Sequence, residues 1–214
     1  MDERATGIIL RCRPLTESSL ITHWLTPDLG RIATVAKGAR RPKSAFRGKL
    51  DLYFSATFSF RRSRRSELHN LHEVKLVDTR TRLRTNLAWL KQAAYAARLV
   101  ELATEAEAPI PGVHKLFASF LARLQTGDAS PVPVLAFELS LLSEIGLQPD
   151  LSQSALSPGS CRIVEKLLAI AWNKPGKRQL AASEFASIER FVGRFIQKHL
   201  ERIPKGRTDA LGGQ

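Results

Sequence analysis

Residues 53–61 read YFSATFSFR, and their period sets the fold class of the first half of the chain. Tyr53, Ser55, Thr57 and Ser59 alternate with Phe54, Ala56, Phe58 and Phe60. That is the two-residue period of a half-buried strand, whose successive side chains point to opposite faces. Working outward, the same punctuated short runs recur at Ala5–Arg13, Ser18–Thr26, Arg31–Lys37 and Leu68–Val77. Thr26-Pro27-Asp28-Leu29-Gly30 is a turn, because proline presets one dihedral and glycine permits positive φ. Five strands between Arg4 and Asp78 predict a small closed barrel, which removes the sheet edges that would otherwise pair with other chains.

Between the third and fourth strands lies the most unusual stretch, Gly30–Leu50, GRIATVAKGARRPKSAFRGKL. It carries seven cations, Arg31, Lys37, Arg40, Arg41, Lys43, Arg47 and Lys49, and no acid. Such a loop repels itself unless an anionic partner relieves it, and nucleic-acid phosphate is the first candidate. A second cluster, Arg61, Arg62, Arg64 and Arg65, caps the fourth strand before Glu67. Were both clusters to face one side of the barrel, they would form a continuous groove for a strand. Tyr53, whose alternation partners are polar, is the candidate for stacking on a base.

The whole chain has 214 residues and a formal net charge of +13. Residues 1–90 hold 18 Lys or Arg against 8 Asp or Glu, a difference of +10, and residues 91–214 hold 15 against 12, a difference of +3. The N-terminal half is therefore the electrostatic one, and its balance favours nucleic acid over a membrane surface. Two distant cysteines, Cys12 and Cys161, give neither a disulfide framework nor a cysteine zinc site. The opening MDERATGIIL is no signal peptide, and no apolar run is long enough to span a bilayer. The expectation is a soluble, cytoplasmic protein without membrane contact.

After Asp78 the period changes to that of helices. Leu87–Glu107 is rich in Ala and Leu and stops before Pro109; Pro111 suits the first turn of the next helix. There Val113, Leu116, Phe117, Phe120, Leu121 and Leu124 form one apolar stripe. Pro133–Ile145, Cys161–Trp172 and Ser183–Leu200 follow, joined by Pro-, Gly- and Ser-rich connections at Gln148–Ser160 and Asn173–Lys177. Trp89 and Trp172 are expected as core anchors. The fold class is thus α+β, with a β-barrel over 1–80, a helical domain over 81–203 and a frayed tail over 204–214.

Nothing in the sequence assembles catalysis. Gly38-Ala-Arg-Arg-Pro-Lys-Ser departs from a phosphate loop because Pro42 stands where a second glycine is needed and has no N–H to offer a phosphate. His69 and His72 lie three apart in a strand and face opposite ways, so they share no metal. No nucleophile, base and acid are spaced for acyl transfer. The expectation is a binding protein without catalytic residues, cofactor or metal.

Specific residues carry a family resemblance. Gly7-Ile8-Ile9-Leu10, Thr16-Glu17-Ser18-Ser19-Leu20, the Thr26–Gly30 turn, Val35-Ala36-Lys37-Gly38-Ala39-Arg40-Arg41, Lys43-Ser44 and Gly48-Lys49-Leu50 resemble the RecO family of bacterial DNA repair and recombination mediators. The match is strong to about residue 60. It continues more thinly through Phe137-Glu138-Leu139, Ile145-Gly146-Leu147 and Phe195–Arg207. The resemblance implies an oligonucleotide-binding (OB) barrel before a helical domain. It also implies binding of single- and double-stranded DNA, annealing of complementary strands, and loading of RecA onto DNA coated by single-stranded DNA-binding protein. RecR, and in some settings RecF, are the implied partners, with a nucleoid association. The family's basic positions carry over to Lys37, Arg40, Arg41, Lys43 and Lys49. Many members resemble one another in cysteine pairs that hold zinc in the helical domain; here Gln148–Trp172 offers only Cys161, which argues against zinc. The rival reading, an RNA-binding OB protein of translation, shares the charge and the strands, and competition between DNA and structured RNA separates the two.

Overall fold

A computed structural model of the chain describes residues 2–127, 129–170, 172 and 180–213. It divides into two compact units, Met1–Thr81 with Thr104–Lys115, and Arg82–Ala103 with Leu116–Gln214.

The first unit is a closed five-stranded barrel of β1 (Asp2–Pro14), β2 (Leu20–Thr26), β3 (Gly30–Ala36), β4 (Ser55–Arg61) and β5 (Leu68–Asp78) in the order β1-β2-β3-β5-β4. β1 closes it by serving two neighbours. Its first half pairs with β4, from Asp2↔Arg61 to Ile8↔Ser55, and its second half with β2, from Ile8↔Leu25 to Pro14↔Leu20. The register shift between Ile9 and Arg11 marks the handover, a bulge that sharpens the bend closure requires. β3 and β5 pair in parallel, Ala33 with Leu68 and Val35 with Asn70. The other pairs are antiparallel.

Phe54, just before β4, and Ala56, Phe58 and Phe60 within it turn into a core with Ile9, Trp24, Ile32, Ala36, Leu71 and Val74. Trp24 stacks on Phe58 at 4.1 Å between ring centroids, and its indole Nε1 donates to Thr34 Oγ1 at 2.8 Å. A tryptophan in the core thus keeps its polar edge satisfied. The Thr26–Gly30 turn is held by Leu29 N–H donating to Thr26 Oγ1 (3.0 Å), which in turn donates to the Gly30 carbonyl (2.9 Å).

The second unit is helical: α1 (Leu87–Ala103), α2 (Pro111–Leu124, whose first turn groups with the barrel), α3 (Val132–Glu144), α4 (Pro158–Leu168), α5 (Ala182–Leu200) and the short α6 (Arg207–Ala210). α3 is buried along almost its whole length, and α1, α4 and α5 pack against it. Phe117 and Phe120 of the predicted α2 stripe meet Phe137 of α3 at 6.3 and 4.6 Å. Trp172 packs edge-on against Phe120.

Three expectations are corrected. α1 ends at Ala103 rather than Glu107, because Ala106 forms a parallel bridge with Arg31 and Glu107 N–H donates to the Arg31 carbonyl at 2.9 Å; the barrel captures the segment. α4 starts at Pro158 rather than Cys161, since Ser157 caps it by accepting from Ser160 N–H at 3.1 Å. The tail over 204–214 is not frayed through its described residues. Arg207 is buried and reaches Glu138 of α3, Nε to Oε1 at 2.7 Å and Nη2 to Oε2 at 3.1 Å, while Tyr95 Oη donates to the same carboxylate at 2.5 Å. The expected connection Asn173–Lys177 lies outside the described residues.

Candidate nucleic-acid interface

The cationic loop is a chain of tight turns rather than an extended arm. Successive N–H to carbonyl bonds run Ala39 to Ala36, Arg41 to Gly38, Ser44 to Arg41, Arg47 to Ser44 and Lys49 to Phe46. Gly38 and Gly48 take positive φ, 69° and 70°, which most side chains resist. Phe46 plugs into the barrel core, with Ala39 and Leu50 partly buried beside it. One aromatic anchor therefore lets the cations between its turns stay outside. Lys37, Arg40, Arg41, Lys43 and Arg47 are exposed, and Lys49 is half-buried.

Hydrogen bonding sorts the predicted cations. Arg40 donates to the Thr16 carbonyl at 3.1 Å and Arg47 to the Pro42 carbonyl at 3.4 Å; both bonds orient the guanidinium without neutralising it. No carboxylate lies within ion-pair distance of Lys37, Arg41, Lys43 or Lys49 among the described residues. Arg31 is different. Its Nε donates to Thr104 Oγ1 at 2.9 Å and its Nη2 to the Thr104 carbonyl at 2.6 Å, so it is spent on tying the 104–115 segment to the barrel.

The Arg61–Arg65 cluster divides in the same way. Arg61 pairs with Asp2 (3.0 Å), and Arg62 lies between Glu3 (3.0 Å) and Glu107 (2.5 Å). Glu107 also meets the buried His69 at 3.1 Å. The hydrogen bond and charge of Arg62 hold the Glu3 carboxyl below the ordinary carboxylate range. Arg62 is therefore neutralised within the barrel, whereas Arg64 and Arg65 project from the β4–β5 hairpin. His69 faces inward and His72 outward.

Two further sequence readings change. Tyr53 does not continue β4: it sits before the strand at φ 67° and is 4% exposed, so its ring cannot offer a face to a base. Nor do the two clusters share one end of the barrel. The loop follows Ala36 at the end of β3, while the hairpin precedes Leu68, which pairs in parallel with Ala33 at the middle of β3, so the hairpin lies toward the start of that strand.

Beside the loop lies a groove of about 470 Å³ whose walls include Arg4, Phe46, Lys49, Phe58, His72, Glu73, Val74 and Lys75. The alternation that turns Ala5 and Phe58 inward places Arg4, Thr57, Glu73, Lys75 and the buried Ser59 on the other face, in the register Arg4↔Ser59↔Glu73 and Thr57↔Lys75. Arg4 and Lys75 drew no attention in the sequence because each is an isolated cation; only pairing across three strands gathers them.

The exposed cations of the loop equip this surface to bind anions. Burial pushes the Cys12 thiol up to about 11, the opposite of an activated nucleophile. No group of three His, Cys, Asp or Glu side chains gathers for a metal among the described residues. No helix among them is long and apolar enough to cross a membrane.

Comparison with known proteins agrees with the charge. A family model described as Recombination protein O N terminal matches residues 1–80, and one described as Recombination protein O C terminal matches residues 84–157. Proteins described as DNA repair protein RecO are similar along much of the chain. The one from Exiguobacterium sibiricum is 28% identical over 176 residues, 82% of this chain and 68% of its own length. That from Symbiobacterium thermophilum is 34% identical over 147 residues, 68% and 57% respectively. That from Myxococcus xanthus is 31% identical over 154 residues, 72% and 63% respectively.

Proposed function

From the premise that the chain belongs to the RecO family of DNA repair proteins, we propose that it is a recombination mediator whose Lys37–Lys49 loop clamps the phosphate backbone of single- and double-stranded DNA. The observation that carries this reading is a loop of exposed cations, anchored by Phe46 and, among the described residues, with no carboxylate at ion-pair distance. Arg supplies a planar fork for two phosphate oxygens and Lys a mobile point charge, a mixture suited to phosphates of varying position. Annealing follows physically: a cationic surface holding two strands lowers their mutual repulsion without making or breaking a covalent bond. The protein then acts in the cytoplasm on the nucleoid and, with RecR, helps load RecA onto DNA coated by single-stranded DNA-binding protein. The helical unit would take the acidic tail of that coat protein along α5, where Arg194 and Lys198 are exposed beside half-buried Phe191 and Phe195.

The test is annealing of complementary strands coated with single-stranded DNA-binding protein at two salt concentrations. Each phosphate neutralised on a single strand adds about 0.7 to the slope of log affinity against log salt. The triple variant Lys37→Glu, Arg40→Glu, Arg41→Glu is expected to flatten that slope by about 2 and to abolish annealing. An unchanged slope would refute the loop as the clamp. A marked preference for structured RNA over DNA would overturn the repair role.

A further inference from the structure

The groove between the loop and strands β1, β4 and β5 is a second feature for which the loop does not account. Its lining holds Arg4, Lys49, His72 and Lys75 against a single acid, Glu73, with the hydroxyl-bearing Thr57 and Ser59 between them. Arg4, Lys49 and Lys75 face no carboxylate within ion-pair distance among the described residues, and His72 pairs with Asp2 at 2.8 Å. A volume of about 470 Å³ falls within the range of small-ligand sites. Lys49 ties it to the loop, and Asp2 links the lining His72 to Arg61 at the end of β4.

The geometry points to a single-strand subsite: the groove seats one unstacked nucleotide and carries the strand from the Lys37–Lys49 loop to the Arg61–Arg65 hairpin. Arg4, Lys49 and Lys75 hold its phosphate. Thr57, whose hydroxyl meets Thr6 Oγ1 at 3.3 Å, can still donate or accept and so serves any base edge without selecting one. Phe46 supplies the apolar wall, and Glu73 opposes a second phosphate in the same space. A duplex keeps its bases stacked and paired, so it can use the loop but not the groove. This inference rests on the strand-binding reading and adds to it the means by which single strands are told from duplex.

Two measurements on the full chain separate the inference from its premise. In the first, the isotope-labelled protein is titrated with thymidine monophosphate. Amide shifts are expected at residues 45–49, 57–59 and 72–75, and the double variant Arg4→Ala, Lys75→Ala is expected to lose them. Shifts confined to residues elsewhere, or none, overturn the subsite whether or not long strands bind. In the second, affinities for an oligothymidylate and a duplex of equal length are compared. The double variant should weaken the single strand about tenfold and the duplex less than twofold, its melting temperature staying unchanged. Equal weakening of both would reduce the groove to general electrostatics and overturn the proposal. Failure of the unaltered protein to bind either strand would instead sink the premise, and the monophosphate titration would still decide the groove.

Discussion

Gly30 shows how narrowly one position is specified. It takes φ +66°, and a Cβ built there would lie 2.5 Å from the Ala108 carbonyl oxygen, a backbone atom that cannot swing aside. Gly30→Ala therefore adds left-handed strain to a clash and should destabilise the barrel by about 1–3 kcal/mol, seen as a lower denaturant midpoint. His23 sets a different limit. Burial, then the charges of Arg11, Arg13 and Arg31, depress its imidazole to about 4. The unfolded chain thus takes up this proton near pH 6.5 while the folded chain refuses it until about 4. In that window the unfolded state binds more protons, so stability falls as pH drops from 6.5 to 4. His23→Gln should flatten this part of the stability curve by about 1 kcal/mol, a figure discounted for the solvent around the ring. Denaturant midpoints at pH 7 and pH 5 would reveal it. Identical pH profiles for the two proteins would show that His23 titrates normally.

Helix α6 is four residues long and would not persist on its own propensity. It persists because Arg207 meets a carboxylate, Glu138, that is wholly buried in α3. Burial pushes the Glu138 carboxyl up, and its hydrogen bonds to Arg207 and Tyr95 pull it back. Removing one partner strands the other in the apolar interior. Arg207→Ala, or a chain stopped after Pro204, should lose about 3–5 kcal/mol, whereas replacing both charges by apolar residues of matched volume should recover most of it. A double-mutant cycle on thermal unfolding measures the coupling. This element also marks the limit of what the sequence discloses. The five strands were legible because their period is local, and the apolar stripe of α2 for the same reason. A tail of Gly, Lys, Arg and Asp has no such period, and its partner lies 69 residues away. Likewise Arg62 and Arg64 look alike in sequence. What separates them is the placement of Glu3 and Glu107, which the topology brings to Arg62 from 59 and 45 residues away.

The domain boundary follows the same logic across the chain. Composition changes at about residue 80, and the sequence alone sets the end of the barrel there. The barrel unit, however, also takes in Thr104–Lys115. That segment returns to bridge Arg31 through Ala106, to receive the Arg31 side chain on Thr104, to abut Gly30 through Ala108 and to set Glu107 between Arg62 and His69. Without it Arg31 and Arg62 each lose a partner, and the buried His69 is left with an unmet ring nitrogen. Each such loss costs about 0.5–1.5 kcal/mol, and more where the group is buried. A fragment of residues 1–81 is therefore expected to be less stable, by roughly 2–4 kcal/mol, than one in which a Gly/Ser linker joins residue 81 to residues 104–115. Urea midpoints of the two fragments provide the comparison. Residues 1–81 hold 16 Lys or Arg against 8 Asp or Glu, a difference of +8 out of the +13 of the chain, so the same pair also tests where DNA binds. The linked fragment should keep the full salt slope of the intact chain, and the shorter one should keep it only while folded. Equal midpoints would show that the 104–115 segment merely lies against a barrel able to stand without it.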